Sequence, residues 1–206
     1  MPRARGQGTD QLRPVPPVLG TVQADHVGDS AGWARVPSIG VTTLEGGASM
    51  HTIARTAAAS AASAVVGSLA SRDVRSGWYA GLSKPSFQPP PVAFPIVWTA
   101  LYTDIAVSSA TVIDALREDG RVSEAAAFER ALAANLLLNA SWTWVFFRMH
   151  RLGAAVATAG ALAVSCADLV RRAAPASRPA AVALSPYAGW CGFATVLSAA
   201  IWRRNR

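Results

Sequence analysis

From about Thr52 onward, apolar residues gather into five long blocks separated by polar or charged joints. The blocks run from about Thr52 to Ala70, Val92 to Leu116, Phe128 to His150, Gly153 to Val170 and Ala180 to Trp202. In a helix rising 1.5 Å per residue, about 20 residues cross a bilayer core of about 30 Å. The pattern predicts an all-α integral membrane bundle of five transmembrane helices within residues 50–206. The joint between the third and fourth blocks is very short, so those helices should be antiparallel neighbours. The first block is almost entirely Ala, Ser, Val and Gly. Small residues on all sides favour close helix approach over lipid contact, which also predicts a homodimer. Arg55, inside that block, must snorkel to the near interface.

Residues 1–49 break the pattern. They hold no apolar run long enough for a signal-peptide core and no helical periodicity, and they are rich in Gly and Pro. The expectation there is a disordered or mis-assigned N-terminal extension, with Met50 opening a compact chain. Trp33 therefore receives no role.

Composition agrees with a membrane protein. The chain is 51% hydrophobic and 15% charged, against about 25% charged in soluble domains. Mean hydropathy is only +0.27, lowered by the polar N-terminal segment and by Ala standing where Leu or Ile would serve. The net charge of +7 raises nucleic acid as a partner. Residues 1–49, however, balance Arg3, Arg5, Arg13 and Arg35 against Asp10, Asp25, Asp29 and Glu45. The whole excess flanks the apolar blocks, as expected beside a lipid bilayer, and argues against nucleic acid.

Basic residues do not orient the chain. Arg35, Arg55, Arg117, Arg121, Arg130, Arg171, Arg172 and Arg178 fall on one side. Arg72, Arg75, Lys84, Arg148, Arg151, Arg203, Arg204 and Arg206 fall on the other. The positive-inside rule is tied. Cys166 and Cys191 lie inside the fourth and fifth blocks and read as small core residues. His26, His51 and His150 are scattered, so no metal site is expected. No phosphate loop or nucleophile elbow is present.

The chemistry concentrates between Trp78 and Tyr102, WYAGLSKPSFQPPPVAFPIVWTALY. It holds Lys84, the only lysine, and the run Pro89, Pro90, Pro91. Prolines cannot continue a helix but suit the segment just before one. A stiffened loop thus feeds the second span, where Phe94, Trp98 and Tyr102 recur every fourth residue on one face.

This stretch resembles the tryptophan-rich sensory protein family, also called the translocator protein or peripheral-type benzodiazepine receptor family (TspO/MBR). The shared pattern is Trp78-Tyr79, Leu82-Ser83-Lys84-Pro85, Pro89-Pro90, Phe94 and Trp98. It continues with Leu138-Asn139, Trp142 and Phe146-Phe147, then Pro186-Tyr187, Trp190, Phe193-Ala194, Leu197 and Asn205. The order agrees over roughly residues 53 to 205. The resemblance implies a membrane receptor for tetrapyrroles such as protoporphyrin, with Tyr79, Pro89, Pro90, Phe94, Trp98, Asn139, Phe146 and Trp190 lining the site. It implies a possible light-dependent oxidative degradation of porphyrin at Trp98 and Trp190, and no required cofactor. It also places the proline-rich loop on the cytoplasmic side of a bacterial inner (plasma) membrane.

The residues themselves give a parallel reading. Asn135, Asn139, Trp142 and Phe146 share one face of the third span; Tyr187, Trp190, Ala194 and Ser198 share one face of the fifth, after a Pro186 expected to bend or interrupt the helix. Buried amides must face the bundle interior and find partners. With Phe94, Trp98 and Tyr102 of the second span added, these faces outline an aromatic cavity suited to a large flat ligand. Porphyrin carboxylates would meet Lys84 or arginines near the interface. Trp78, Tyr79 and Trp202, at span ends, suit interfacial anchoring equally well. A sterol-recognition pattern needs a Tyr before the terminal basic residues; Ala199, Ala200, Ile201 and Trp202 stand there instead, which argues against sterol. Ser198 replaces an Asn common in the family.

A rival reading is a small proton-coupled transporter of porphyrin or another hydrophobic ligand. Asp104 lies well inside the second span and Asp114 near its end, and intramembrane carboxylates are functional candidates. Asp168 should simply pair with Arg171 and Arg172.

Overall fold

The computed structural model describes residues 48–71 and 77–206. The expectations for residues 1–47 and for Arg72 and Arg75 lie outside them. The described residues form α1 (Met50–Ser71), α2 (Gly77–Gly81), α3 (Ala93–Glu118), α4 (Val122–Thr143), α5 (Leu152–Ala173) and α6 (Arg178–Arg204). A π-helical turn, Trp144–Arg148, extends α4. The chain is an all-α integral membrane protein.

The five long helices close a ring. Helix α1 packs on α3 and α4, α3 on α6, α6 on α5, and α5 back on α4, while α3 and α4 also touch. The expected α4–α5 neighbours are joined through Met149, His150 and Arg151. His150 leaves the helix in a left-handed conformation, φ 55°, and Arg151 N–H reaches back to Val145 O at 3.1 Å.

Helix α1 shows why its weakly apolar sequence spans. Its buried positions are Thr52, Thr56, Ser60, Ser63, Gly67 and Ala70, one stripe at helical spacing. Val65, Val66 and Leu69 are exposed. Polar and small groups inside with aliphatic groups outside is the arrangement lipid demands. The hydroxyls of that stripe bind neighbouring helices: Thr56 Oγ1 donates to Ala106 O at 2.7 Å, and Ser63 Oγ to Leu136 O at 3.0 Å. A Cβ on Gly67 would come within 3.3 Å of Thr143 Oγ1, so glycine sets the α1–α4 approach.

The α3–α4 turn is tightly specified. Gly120, at φ 72°, takes the left-handed position of a Schellman motif. Its N–H meets Arg117 O at 3.0 Å, and Arg121 N–H meets Leu116 O at 2.8 Å.

Two sequence expectations change. Helix α4 starts at Val122, ahead of the apolar block that opens at Phe128; near this end Arg121 meets Glu124 at 2.8 Å, and Arg117 meets Glu129 at 2.7 Å. Among the described residues, four helices are apolar and long enough to cross a membrane on composition, and α4 is not one of them. Pro186, expected to bend or interrupt the last span, sits inside an unbroken α6. Its missing N–H would orphan Val182 O, and Ser185 Oγ donates to that oxygen at 2.6 Å.

Candidate functional site: an aromatic cavity at one end of the bundle

The end of the ring where α1, α4 and α6 finish and α3 begins does not pack shut. A cavity of about 440 Å³ remains there, within the range of about 300–1,000 Å³ for small-molecule sites. Helix α3 contributes Phe94, Pro95, Trp98, Thr99 and Tyr102; α4 and its π turn contribute Asn139, Trp142, Thr143, Phe146 and Phe147. Helix α6 adds Trp190, Phe193, Ala194, Leu197, Ser198 and Ile201, and α1 adds Ala64, Gly67, Ser68 and Ser71. Tyr79, Gln88 and Pro91 come from α2 and the proline-rich loop.

Of the residues singled out from sequence, Tyr79, Phe94, Trp98, Tyr102, Asn139, Trp142, Phe146 and Trp190 come together on this wall. Lys84, Pro89 and Pro90 do not line it. Lys84 Nζ instead donates to Ala80 O at 3.3 Å and lies 4.5 Å from the centre of the Tyr79 ring. Sequence reasoning omitted Phe147, Phe193 and Gln88 from the site. Phe193 stands one turn from Trp190, so face periodicity contained that signal. Nothing in the sequence marks the π turn, whose wider pitch accompanies adjacent Phe146 and Phe147 on the same wall.

The rings hold one another largely edge to face. Phe94 meets Trp190 at 5.9 Å between centroids, and Trp98 meets Tyr187 at 6.4 Å, both near perpendicular. Trp98 tilts over Tyr102 at 5.4 Å, Trp142 over Phe146 at 5.6 Å, and Trp190 over Phe193 at 5.4 Å. Such pairs fix ring orientation at about 0.5–1.5 kcal/mol each. Rigid plates at fixed angles cannot collapse into the space between them. Trp78, outside the wall, stacks on His150 at 3.9 Å.

A buried polar chain forms the floor. Tyr102 Oη donates to Asn139 Oδ1 at 2.8 Å, and Asn139 Nδ2 donates to Tyr187 Oη at 3.1 Å. Tyr187 Oη donates to Asn135 Oδ1 at 2.8 Å, and Asn135 Nδ2 reaches Ser165 Oγ at 3.1 Å and Cys166 Sγ at 3.3 Å. Both amides thus find the interior partners expected of them, tying α3, α4, α5 and α6 together. Ser198 lines the wall.

Among the described residues, two polar atoms on the cavity wall have no hydrogen-bond partner: Trp142 Nε1, a donor, and Gln88 Oε1, an acceptor. Buried unsatisfied groups are costly, and a bound molecule would satisfy them. Burial pushes the Tyr79 phenol above its usual range, with Gln88 beside it pulling it back down. Asp104 is not a wall residue; Ser108 Oγ donates to its Oδ1 at 2.8 Å, while Oδ2 has no partner among the described residues. Asp114 accepts from Thr52 Oγ1 at 2.7 Å at the opposite end. Asp168 pairs with Arg171 and Arg172 as expected.

The loop over the cavity is pinned by the last helix. Asn205 accepts from Ser83 N–H at 2.9 Å and donates to Ser83 O at 2.9 Å, using its side-chain amide as a substitute strand. It also donates to Ile201 O at 2.7 Å. Arg204 reaches Lys84 O at 3.5 Å. This gives the motif Asn205 a physical role: it holds the proline-rich loop against the α6 terminus.

Known proteins share this combination of motifs. The family model described as the TspO/MBR family matches residues 56–203. The tryptophan-rich sensory protein of Cereibacter sphaeroides is 34% identical over 148 residues, 72% of this chain and 87% of that protein. The translocator protein of Sus scrofa is 34% identical over 133 residues, 63% of this chain and 75% of that protein. The Homo sapiens translocator protein is 33% identical over 129 residues, 62% and 75% of the two chains. The match runs through every helix that builds the cavity, and the chain belongs to the TspO/MBR family of membrane proteins.

Proposed function

We propose that this protein is a five-span membrane receptor or sensor that binds a tetrapyrrole of the protoporphyrin kind in the aromatic cavity. The observation that carries the reading is the wall itself: Trp98, Trp142 and Trp190, with Tyr79, Phe94 and Phe146, frame one apolar space and leave an indole N–H and an amide oxygen without a partner among the described residues. A flat macrocycle offers faces for the rings and polar edges for those two atoms. At the same end of the bundle lie Lys84, Arg151, Arg203, Arg204 and Arg206, with no acidic residue beside them among the described residues. Carboxylates on the ligand's rim would complement that charge.

In this reading α4 completes the fifth span, its charged first turns lying at the interface. The protein sits in a plasma membrane. A second copy packs on the exposed small face of α1, where Ala54, Ala58 and Ala61 recur at helical spacing.

The same geometry supports light-dependent chemistry. A photoexcited porphyrin against Trp98 or Trp190 can take an electron from the indole; phenyl is far harder to oxidise. The test is an absorbance titration of purified protein with protoporphyrin, followed by illumination at matched occupancy. Saturable binding is expected, with light-dependent loss of the porphyrin band that Trp98→Phe and Trp190→Phe abolish and Trp142→Phe leaves intact. Equal decay in all four proteins would reduce the protein to a binding site, and absence of saturable binding would overturn the reading altogether.

A further inference from the structure

The two ends of the bundle carry similar numbers of basic residues but differ in how those residues are partnered. At the α3–α4 end, Arg55 and Arg117 meet Glu129 at 3.7 and 2.7 Å, Arg121 meets Glu124 at 2.8 Å, and Arg171 and Arg172 share Asp168. Only Arg130 and Arg178 there have no ion pair among the described residues. At the cavity end, Arg151, Arg203, Arg204 and Arg206 are all exposed, and none of them forms an ion pair among the described residues.

These cations come from separate segments that converge. A Cβ on Gly153, at the start of α5, would lie 3.4 Å from the Trp202 ring, so Arg151 and the end of α6 are neighbours. Arg206 stands 5.5 Å from the centre of that ring. Arg204 Nη1 donates to Lys84 O at 3.5 Å, which brings the proline-rich loop to the same place. None of the four arginines lines the cavity. Their depth follows from the tryptophans: Trp144 and Trp202, 39% and 37% exposed, both lie at this end. Exposed indoles collect where hydrocarbon gives way to headgroups. The arginines therefore stand at the level of the bilayer phosphates.

We propose that the cavity end binds anionic phospholipid headgroups, with Arg151, Arg203, Arg204 and Arg206 holding their phosphates. A guanidinium meets a phosphate with two parallel N–H donors. A cluster of about four to eight basic residues beside a span retains anionic lipid. The rest of the headgroup decides between lipids. A phosphatidylcholine phosphate arrives with a quaternary ammonium, and no described carboxylate at this end receives it. Phosphatidylglycerol brings the phosphate without the cation. At the α3–α4 end most arginines already hold carboxylates, so the same lipid gains little there. Nothing in this assignment depends on what the cavity binds.

The experiment places the full chain in phosphatidylcholine bilayers carrying a trace of spin-labelled phosphatidylglycerol or spin-labelled phosphatidylcholine. Electron paramagnetic resonance reads the fraction of each label immobilised against the protein. The phosphatidylglycerol label should be favoured at least about threefold at low salt. That preference should fall toward one in about 1 M sodium chloride, where the Debye length is about 3 Å. Arg151→Gln, Arg203→Gln and Arg206→Gln combined should remove most of it. Arg204 is spared in that variant because it bonds Lys84 O, and thermal melting checks the fold. Arg130→Gln with Arg178→Gln, at the other end, should leave the preference intact. Equal immobilisation of the two labels by the wild type would overturn the proposal without recourse to any variant. A preference unmoved by salt, or one that survives the triple variant, would overturn it as well. Inorganic phosphate that displaces the phosphatidylglycerol label more than sodium chloride of equal ionic strength would make this a soluble-phosphate site and overturn the lipid assignment.

Discussion

The two halves of the bundle are built from the same helices but packed by different side chains. Toward the α3–α4 turn the interior is mainly aliphatic: Ile105, Val112, Ile113, Leu116, Leu132, Leu169 and Leu184 pack around Phe128. Flexible branched chains interdigitate and fill. That half is finished by paired charges, with Arg117 meeting Glu129 and Arg121 meeting Glu124. Toward the proline-rich loop, Trp98, Trp142, Trp190, Phe94 and Phe146 replace the aliphatics, and a cavity stays open. Lys84, Arg151, Arg203 and Arg204 lie at that end, with no acidic residue beside them among the described residues. One half holds the helices together; the other holds space.

That division makes stability and binding separable by mutation. The largest effect should come from Phe128→Ala in the closed half, with a stability loss of about 3 kcal/mol from the void left. Thermal melting in detergent would read it, while the affinity of the folded fraction for protoporphyrin should stay unchanged. Next comes the boundary between the halves. Asn135→Ala strands the Tyr187 hydroxyl and should cost about 1–2 kcal/mol, and a shift in both melting and affinity would mark the floor as shared. Smaller still, Trp98→Phe and Trp190→Phe should each weaken porphyrin binding about fivefold, roughly 1 kcal/mol, with melting close to wild type. Trp202→Phe should do least. Trp202 is 37% exposed and packs on Gly153 outside the cavity, so neither melting nor affinity should move measurably. A Trp202 effect as large as that of Trp98 would blur the comparison.

How much of this was legible in the sequence differs between the halves. The long helices followed from the apolar blocks, and the aromatic faces followed from steps of three and four. Where a charge closed the apolar block early, the boundary slipped: Glu124 concealed the turns of α4 before Phe128. Pro186 misled because the remedy, the Ser185 hydroxyl on Val182 O, depends on rotamer and not on composition. Lys84 drew notice as the lone lysine, but its contacts with Ala80 O and Tyr79 are made in three dimensions. The polar stripe of α1 could be read as small residues, though not as cavity wall, because Ala64, Gly67 and Ser68 carry no chemistry that announces a site. The π turn after Thr143 left no mark at all, since its extra hydrogen-bond step has no residue signature.

The central claim, that the open aromatic half is the binding site, is tested most directly by filling it. Ala194 lies on the cavity wall, and Ala194→Trp would place an indole where the ligand should sit. Tryptophan fluorescence would be titrated with protoporphyrin in the dark, on wild type and variant shown by melting to be equally folded. The account predicts saturable quenching for the wild type and affinity at least about thirtyfold weaker for Ala194→Trp, roughly 2 kcal/mol. Identical saturation curves for the two proteins would contradict it.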